Sequence, residues 1–328
     1  MAVPAIVVGL VLLTIGAELV VRGGSRLAAI AGVSPLVVGL TVVAIGTSAP
    51  ELAVGIDSAR QGVGELALGN IAGTNIVNTL LILGLVASIA ALPLQSRVPH
   101  VDLPVMVVSA TVLLLMSLDG RLTAVEGALL LVGGIAYTVL VVHTSRRESV
   151  AVETEYADEF GEPTARRSTG QRGVKVLGAQ FGIVVVGLAI IVIGADRLVS
   201  GAVGVAGALG VSDAFIGLTV VAIGTSAPEL ATAVVASVRH ERDIAVGNLF
   251  GSSIYNILVI LGVTILASPG GLTVSPDLVR FDLPVMLGVS ILCIPIFLTG
   301  RRVSRPEGVA LMALYVLYLG AVIVIELT

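Results

Sequence analysis

Two glutamates occupy long apolar stretches of the sequence, and each directly follows a proline. Glu51 follows Pro50 in the phrase GLTVVAIGTSAPEL, and Glu229 follows Pro228 where the same phrase returns at residues 217–230. An ionised carboxylate in the middle of a membrane span costs roughly 2.5–3.5 kcal/mol on insertion scales unless it is paired or hydrated. Because neither stretch contains Lys or Arg, a bound cation is the natural partner. The two acids therefore predict a cation site.

The residues before each proline offer further oxygen ligands for such a site. Pro50 has no N–H for the carbonyl of Gly46 and pushes Ala49 away from helical angles, so the helix should break or kink there. The carbonyls and hydroxyls of Thr47 and Ser48 then need polar surroundings, which lipid does not offer. Ca²⁺ prefers about 6–8 oxygen ligands, and two carboxylates match its charge. The alternative is a simple proline kink with a buried, protonated glutamate, and the identical second copy argues against it.

A second pair of repeated segments carries amides and hydroxyls. GNIAGTNIVNTLLILG at residues 69–84 aligns with GNLFGSSIYNILVILG at residues 247–262. Residues four apart lie on one face of a helix, so each segment predicts one small, polar face. Such a face either packs helices together through glycines and amides or supplies ligands to ions, and both interpretations stay open. The aligned polar pairs are Asn70 with Asn248, Thr74 with Ser252, Asn75 with Ser253, and Asn78 with Asn256.

The composition places these segments in a membrane. Hydrophobic residues make up 56% of the chain, charged residues make up 12%, and the mean hydropathy is +1.08. Ordinary soluble domains carry about 25% charged residues. The net charge of −4 and the scattered basic residues exclude a nucleic-acid-binding protein. A membrane helix needs about 20 apolar residues. Ten such spans are predicted, at about residues 3–21, 36–58, 65–90, 102–118, 123–143, 174–195, 213–237, 243–267, 281–299 and 306–326.

The predicted spans fall into two repeats of five. The paired phrases lie 178 residues apart, and DLPVM at residues 102–106 returns at residues 282–286. An odd number of spans per repeat makes the second repeat cross the membrane in the opposite sense. We therefore predict an all-α polytopic membrane protein with ten transmembrane helices in two inverted five-helix repeats. The first repeat covers residues 1–144 with its motif at about 36–90, a linker covers 145–173, and the second repeat covers 174–328 with its motif at about 213–267.

The basic residues set the expected orientation. Fourteen lie in loops after odd-numbered spans and four lie on the other side, and without the predicted linker the ratio is eight to four. Because cytoplasmic loops are rich in Lys and Arg, we expect a multi-pass protein of the cell membrane with a cytoplasmic linker and both termini outside. Glu18 lies four residues before Arg22, and we predict a helix-end ion pair there rather than a transport role.

The paired phrases resemble the alpha repeats of the calcium/cation antiporter superfamily, and the chain is similar to prokaryotic sodium/calcium exchangers. The resemblance rests on AIGTSAPE, which occurs twice, and on the pattern G-N-x-x-G-[ST]-[NS]-x-x-N after each copy. It implies ten helices in two inverted halves, ion sites between the second, third, seventh and eighth spans, and a first and sixth span that slide as a gating pair. Several sodium/calcium exchangers carry Asp at the position of Asn256, so the site here would hold one negative charge fewer. The ligands that the resemblance implies for Ca²⁺ and Na⁺ are Glu51, Glu229, Thr47, Thr225, Thr74, Ser252, the carbonyls of Ala44 and Ala222, and the amides Asn78 and Asn256.

These inferences predict a secondary antiporter that exchanges Ca²⁺ for Na⁺ by alternating access. The two cations are its transported ions and the lipid bilayer surrounds it, while neither a cofactor nor a protein partner is predicted. The sequence contains no P-loop, HExxH or other catalytic motif, so we do not expect an enzyme. Two alternatives stay open: a proton/calcium exchanger that uses the same two glutamates, and a passive cation channel with the acids as its selectivity site.

Overall fold

The protein is an all-helical, multi-pass membrane protein. The computed structural model describes residues 2–95, 97–160, 171–208, 222–268, 270–298 and 300–327. In these ranges eight helices are long and apolar enough to cross a membrane, and a bent pair of helices forms a ninth candidate span. The remaining predicted span, at 213–237, begins outside the described residues.

Where the chain is described without a gap, the helices follow one another through short connections, and the strands there occur only as two-residue pairs. Strand β1 pairs antiparallel with β4, and β2 pairs antiparallel with β3, so each pair joins a loop of the first half to a loop of the second. The helices are α1 (Ala2–Ala31), α2 (Pro35–Thr47), α3 (Ala49–Arg60), α4 (Gly64–Ile89), α5 (Val98–Asp119), α6 (Ala124–Phe160), α7 (Gln171–Ala208), α8 (Ala222–Thr225), α9 (Ala227–Val238), α10 (Arg242–Ala267), α11 (Leu278–Leu298) and α12 (Arg305–Leu327). The strands are β1 (Leu92–Pro93), β2 (Arg121–Leu122), β3 (Leu272–Thr273) and β4 (Arg302–Val303).

Several helices run beyond the apolar windows that predicted them. The first window ends at residue 21 but α1 continues to Ala31, and α6 continues through the first part of the predicted linker to Phe160. Residues 161–170 of that linker lie outside the described residues. Polar residues end a membrane window without breaking the backbone hydrogen bonds of a helix, so the helix ends at a later residue.

Helices α4 and α10 form the centre of the molecule. In their most apolar stretches 78% and 83% of the residues are buried, whereas the corresponding values for α7 and α12 are both 17%. A helix that is buried on all sides lies inside a bundle, and a helix with one buried stripe lies at its edge. The two central helices are the ones that carry the aligned amide and hydroxyl segments.

Glycines hold α1 and α7 in close contact along most of their length. Gly9, Gly16 and Gly23 recur every seven residues on α1, where they face α7. A methyl group added at Gly16 would lie 2.7 Å from the carbonyl oxygen of Gly187, and one added at Gly9 would lie 2.6 Å from the backbone nitrogen of Leu198. The backbones therefore touch, which is the packing that small residues allow between membrane helices.

Turns of π-helix occur at corresponding places in the two halves. In α4 the π-helical turn covers Val77–Ile82, and in α10 it covers Asn256–Leu261. A second pair begins α5 at Val98–Asp102 and α11 at Leu278–Asp282. Such turns are rare and often lie at functional sites. The first pair contains the predicted ligands Asn78 and Asn256.

Candidate cation-binding site

Both copies of the repeated phrase break their helix in the same way. Ser48, between α2 and α3, has φ −80° and ψ 9°, and Ser226, between α8 and α9, has φ −85° and ψ 6°. The bend between α2 and α3 is 41°. The predicted break is confirmed, but it lies at Ser48 because Ala49 is already the first residue of α3. Pro50 then lies in the first turn of the new helix, where backbone N–H groups make no hydrogen bond within the helix.

The two glutamates lie at the starts of α3 and α9, in the interior of the protein. Glu51 and Glu229 are both 0% exposed. Their carboxylates lie close enough for the negative charges to repel each other, and the hydroxyls of Thr47 and Ser48 lie beside Glu229. All four carboxylate oxygens nevertheless lack a hydrogen bond of normal geometry to any described residue. An ionised carboxylate that is buried without normal hydrogen bonds needs a positive partner.

Thr47 connects the broken helix to α10. Its Oγ1 lies 3.0 Å from Oδ1 of Asn248, 3.3 Å from Oγ of Ser252 and 3.2 Å from the carbonyl oxygen of Ala44. The hydroxyl of Ser252 also donates to the Ala44 carbonyl, at 3.5 Å. The structure therefore brings together three of the predicted ligands, Ala44, Thr47 and Ser252, on the elements next to the glutamates.

The remaining predicted ligands lie on α4, α8 and α10. Thr74 is 2% exposed, and Asn78 and Asn256 are 1% and 0% exposed. Oδ1 of Asn256 and both amide atoms of Asn78 are buried without a hydrogen-bond partner among the described residues. Thr225 is half-buried on α8, which packs against α4, and Ala222 begins α8 with its side chain outside the described part of the chain.

This set of atoms suits a hard cation. It consists of two carboxylates together with hydroxyl, amide and carbonyl oxygens, the atoms that Ca²⁺ and Na⁺ prefer over nitrogen or sulfur. The described residues contain no group of three or more His, Cys, Asp or Glu side chains that could hold a metal ion. The negative charge of the site is therefore supplied by the two glutamates, and neutral oxygens supply the other contacts.

Three polar residues next to the ligands are absent from the ligand set that the resemblance implies, although the sequence analysis counted them among possible oxygen donors. Asn248 contacts Thr47, the hydroxyl of Ser48 is buried beside Glu229, and Asn75 contacts Asn256. The alignment of the two repeats contained the signal for two of them, because it paired Asn248 with Asn70 and Asn75 with Ser253. Spacing along one helix did not show which neighbouring helix these amides would face.

The chain is similar to known membrane proteins over almost its whole length. It is 33% identical over 338 residues to the sodium/calcium exchanger MaX1 of Methanosarcina acetivorans, a match that covers 96% of each chain. It is 34% identical over 306 residues to the inner membrane protein YrbG of Escherichia coli, covering 93% of this chain and 91% of that protein. The solved structure of the sodium/calcium exchanger from Methanococcus jannaschii superimposes with a TM-score of 0.80 at 27% identity and covers 97% of both chains.

The profile of the family described as sodium/calcium exchanger protein matches residues 1–143 and 179–324. The unmatched interval contains the predicted linker, and the matched ranges contain both glutamates and both helix breaks. The similarity thus covers the fold and the elements that form the candidate site. The chain belongs to the sodium/calcium exchanger family.

Proposed function

We propose that the protein is a secondary antiporter that moves Ca²⁺ across the cell membrane in exchange for Na⁺ by alternating access. The observation that carries this proposal is the pair of fully buried glutamates, whose four carboxylate oxygens make no hydrogen bond of normal geometry to the described residues. Two such charges match one Ca²⁺ or a pair of Na⁺ ions. The names of the solved and curated relatives support the same two ions.

Electrostatics favours exchange over one-way passage. Glu51 and Glu229 repel each other when no cation lies between them. Removing charges from water without pairing them costs several kcal/mol per ion. A conformational change with both glutamates ionised and no cation bound is therefore strongly disfavoured, whereas the same change with Ca²⁺ or Na⁺ bound is not. This asymmetry obliges the protein to carry a cation in each direction.

The proposed architecture is ten transmembrane helices in two inverted five-helix repeats. The matching angles at Ser48 and Ser226 and the paired π-helical turns support a repeat. Of the predicted seventh span at 213–237, the described part consists of α8 and α9. The distribution of Lys and Arg supports a cytoplasmic linker at residues 145–173 and both termini outside.

Ion binding is assigned to ten residues around the two breaks. Glu51 and Glu229 hold Ca²⁺ between them and also take part in binding Na⁺, and oxygens from both repeats complete the shell. The short contacts among Ala44, Thr47 and Ser252 support this assignment for one side of the site. The full proposed set is Glu51, Glu229, Thr47, Thr225, Thr74, Ser252, Asn78, Asn256 and the carbonyls of Ala44 and Ala222.

Helix α7 has contacts that suit a gate. Gly46, just before the first break, faces the side chain of Leu188, and Gly224, just before the second break, faces the side chain of Val199. Both of these side chains belong to α7, so displacement of α7 would uncover both breaks. Because α1 and α7 touch through their backbones, we propose that the two helices move as one body and expose the site to one side of the membrane at a time.

Transport by purified protein in liposomes tests this function. Vesicles loaded with Na⁺ and diluted into Na⁺-free medium with radiolabelled Ca²⁺ should accumulate Ca²⁺, and vesicles loaded with choline should not. Uptake driven equally well by a pH gradient without Na⁺ would show a proton/calcium exchanger and overturn the sodium coupling. Ca²⁺ flux that needs no counter-ion on the opposite side would show a channel.

A further inference from the structure

A chain of three hydrogen-bonding groups crosses between the central helices α4 and α10. The amide nitrogen of Asn75 on α4 donates to the backbone carbonyl of Ser253 on α10 at 3.0 Å, and it also lies 3.7 Å from the sulfur of Met286. The amide nitrogen of Asn256 then donates to Oδ1 of Asn75 at 3.2 Å. Asn75 is 4% exposed and Asn256 is 0% exposed, so water does not compete for these bonds.

The backbone carbonyl of Ser253 fixes the direction of this chain. A carbonyl oxygen only accepts hydrogen bonds, so Asn75 must turn its NH₂ group toward Ser253 and its Oδ1 toward Asn256. Asn256 must then turn its own NH₂ group toward Asn75. Because an amide is planar, Oδ1 of Asn256 is left on the opposite side, where no described residue donates to it. Asn256 also lies one turn after Ser252, on the face of α10 that contacts Thr47.

We infer that Asn75 is a positioning residue that holds the Asn256 amide with its oxygen toward the bound cation, an inference that rests on the proposed function. Reversing the Asn256 amide would place its NH₂ group against Ca²⁺ or Na⁺ and would set two oxygens against each other at Asn75. Asn75 therefore fixes the orientation in which Asn256 offers its neutral amide oxygen as a ligand.

The equivalent amide in the other repeat has no such support. Asn78 corresponds to Asn256, and both of its amide atoms are buried without a hydrogen-bond partner among the described residues. The position that would orient it carries Ser253 where the first repeat has Asn75, and the hydroxyl of Ser253 donates within its own helix to the carbonyl of Leu249 at 2.9 Å. The two halves thus present one oriented and one unoriented amide, and the difference follows from one residue.

Replacement of Asn75 by Ser tests this role. The fold already has a serine at the corresponding position of the second repeat, Ser253. Equilibrium binding of radiolabelled Ca²⁺ to the purified protein should weaken by roughly three- to tenfold, the value of about one hydrogen bond. The matched control is Ser253→Ala, which removes a hydroxyl bonded only to its own helix and should leave Ca²⁺ binding unchanged. Wild-type affinity in Asn75→Ser would overturn the inference.

A double-mutant cycle distinguishes positioning from general structural support. If Asn75 acts through Asn256, then Asn75→Ser should weaken Ca²⁺ binding in the wild-type background and have no further effect in an Asn256→Ala background. The same loss in both backgrounds would show that Asn75 acts elsewhere and would overturn the inference. The cycle measures binding without an ion gradient, so a failure of Na⁺ coupling in liposomes would overturn the proposed function and leave this result standing.

An exchange of the two paired residues provides a second, independent measurement. The double variant Asn75→Ser with Ser253→Asn moves the amide to the corresponding place in the other repeat, where Met106 takes the position of Met286 in the repeated DLPVM phrase. Ca²⁺ affinity should recover from the single-variant value toward wild type, and it should become sensitive to Asn78→Ala rather than Asn256→Ala. No recovery would contradict the inference that an amide at this paired position orients a ligand.

Discussion

Replacement of Glu51 by Gln removes one negative charge from the site while keeping the shape of the side chain. Glu51 is 0% exposed, and the acid whose charge acts on it is Glu229. Ca²⁺ bound to the variant would face one carboxylate and retain one uncompensated positive charge in the protein interior. The cost falls on the bound state, so the change should appear in Ca²⁺ affinity.

The expected loss is large because, among the described residues, no third acid joins Glu51 and Glu229 to replace the missing charge. Leaving one buried charge without its partner costs about 3–5 kcal/mol. Since a factor of ten in affinity corresponds to about 1.4 kcal/mol, Ca²⁺ should bind roughly 100- to 4,000-fold more weakly to Glu51→Gln. The repeat predicts a loss of the same order for Glu229→Gln.

Equilibrium binding of radiolabelled Ca²⁺ to purified protein in detergent, at constant ionic strength, measures this loss. The control is Glu65→Gln, the same substitution at an exposed position in the first turn of α4, which should bind Ca²⁺ like the wild type. The melting temperature of each variant without Ca²⁺ shows whether it is folded. A folded Glu51→Gln protein that binds Ca²⁺ within tenfold of wild type would refute the assignment of Glu51 as a charge-bearing ligand.

Three further substitutions test the surrounding structure. Thr47→Val should weaken Ca²⁺ binding by about tenfold, because it removes the hydroxyl that contacts Asn248 and Ser252, whereas Thr41→Val removes only a bond to its own helix and should have little effect. Gly16→Ala should lower the melting temperature by the equivalent of about 1–3 kcal/mol, because its methyl group meets backbone atoms of α7, whereas Gly182→Ala, with no atom within 4 Å, should not. Glu18→Gln should cost less than about 1 kcal/mol of stability and leave Ca²⁺ exchange unchanged, since its ion pairs lie near the surface; slower exchange with normal folding would indicate a role in gating.

The ion pair at Glu18 shows both the strength and the limit of the sequence argument. Spacing of four residues predicted the contact with Arg22, and the structure confirms it with a 2.5 Å distance between Oε1 of Glu18 and Nε of Arg22. The predicted position at a helix end is wrong, because α1 continues to Ala31. Spacing also gave no sign that Arg239, after α9, joins the same carboxylate at 2.7 Å.

The membrane spans were predictable because each requires a run of apolar residues long enough to cross lipid. The ends of the helices were less predictable. Helix α6 continues past the apolar window to Phe160, because polar residues that do not belong in lipid can still form a helix. The break near Pro50 followed from the missing N–H of proline. The break lies at Ser48 because the first turn of a helix has backbone N–H groups without partners, so Pro50 fits inside the first turn of α3.

The chemistry of the site was visible in the sequence, whereas its pattern of contacts was not. Glu51 and Glu229 stood out because ionisable residues are rare in apolar spans. The contact of Asn75 with Asn256 depends on how α4 packs against α10. Periodicity along one helix identifies the residues that share a face, but the partner of that face is set by packing in three dimensions.

Competition between Na⁺ and Ca²⁺ at equilibrium tests the shared site most directly. Radiolabelled Ca²⁺ bound to the purified wild-type protein is titrated at fixed pH with Na⁺, and with choline at equal ionic strength as the control. We expect Na⁺ to displace Ca²⁺ completely and cooperatively, because more than one Na⁺ is needed to balance Glu51 and Glu229, and choline to displace none. Bound Ca²⁺ that resists Na⁺ and leaves only as the pH is lowered would contradict the sodium/calcium exchange proposed here.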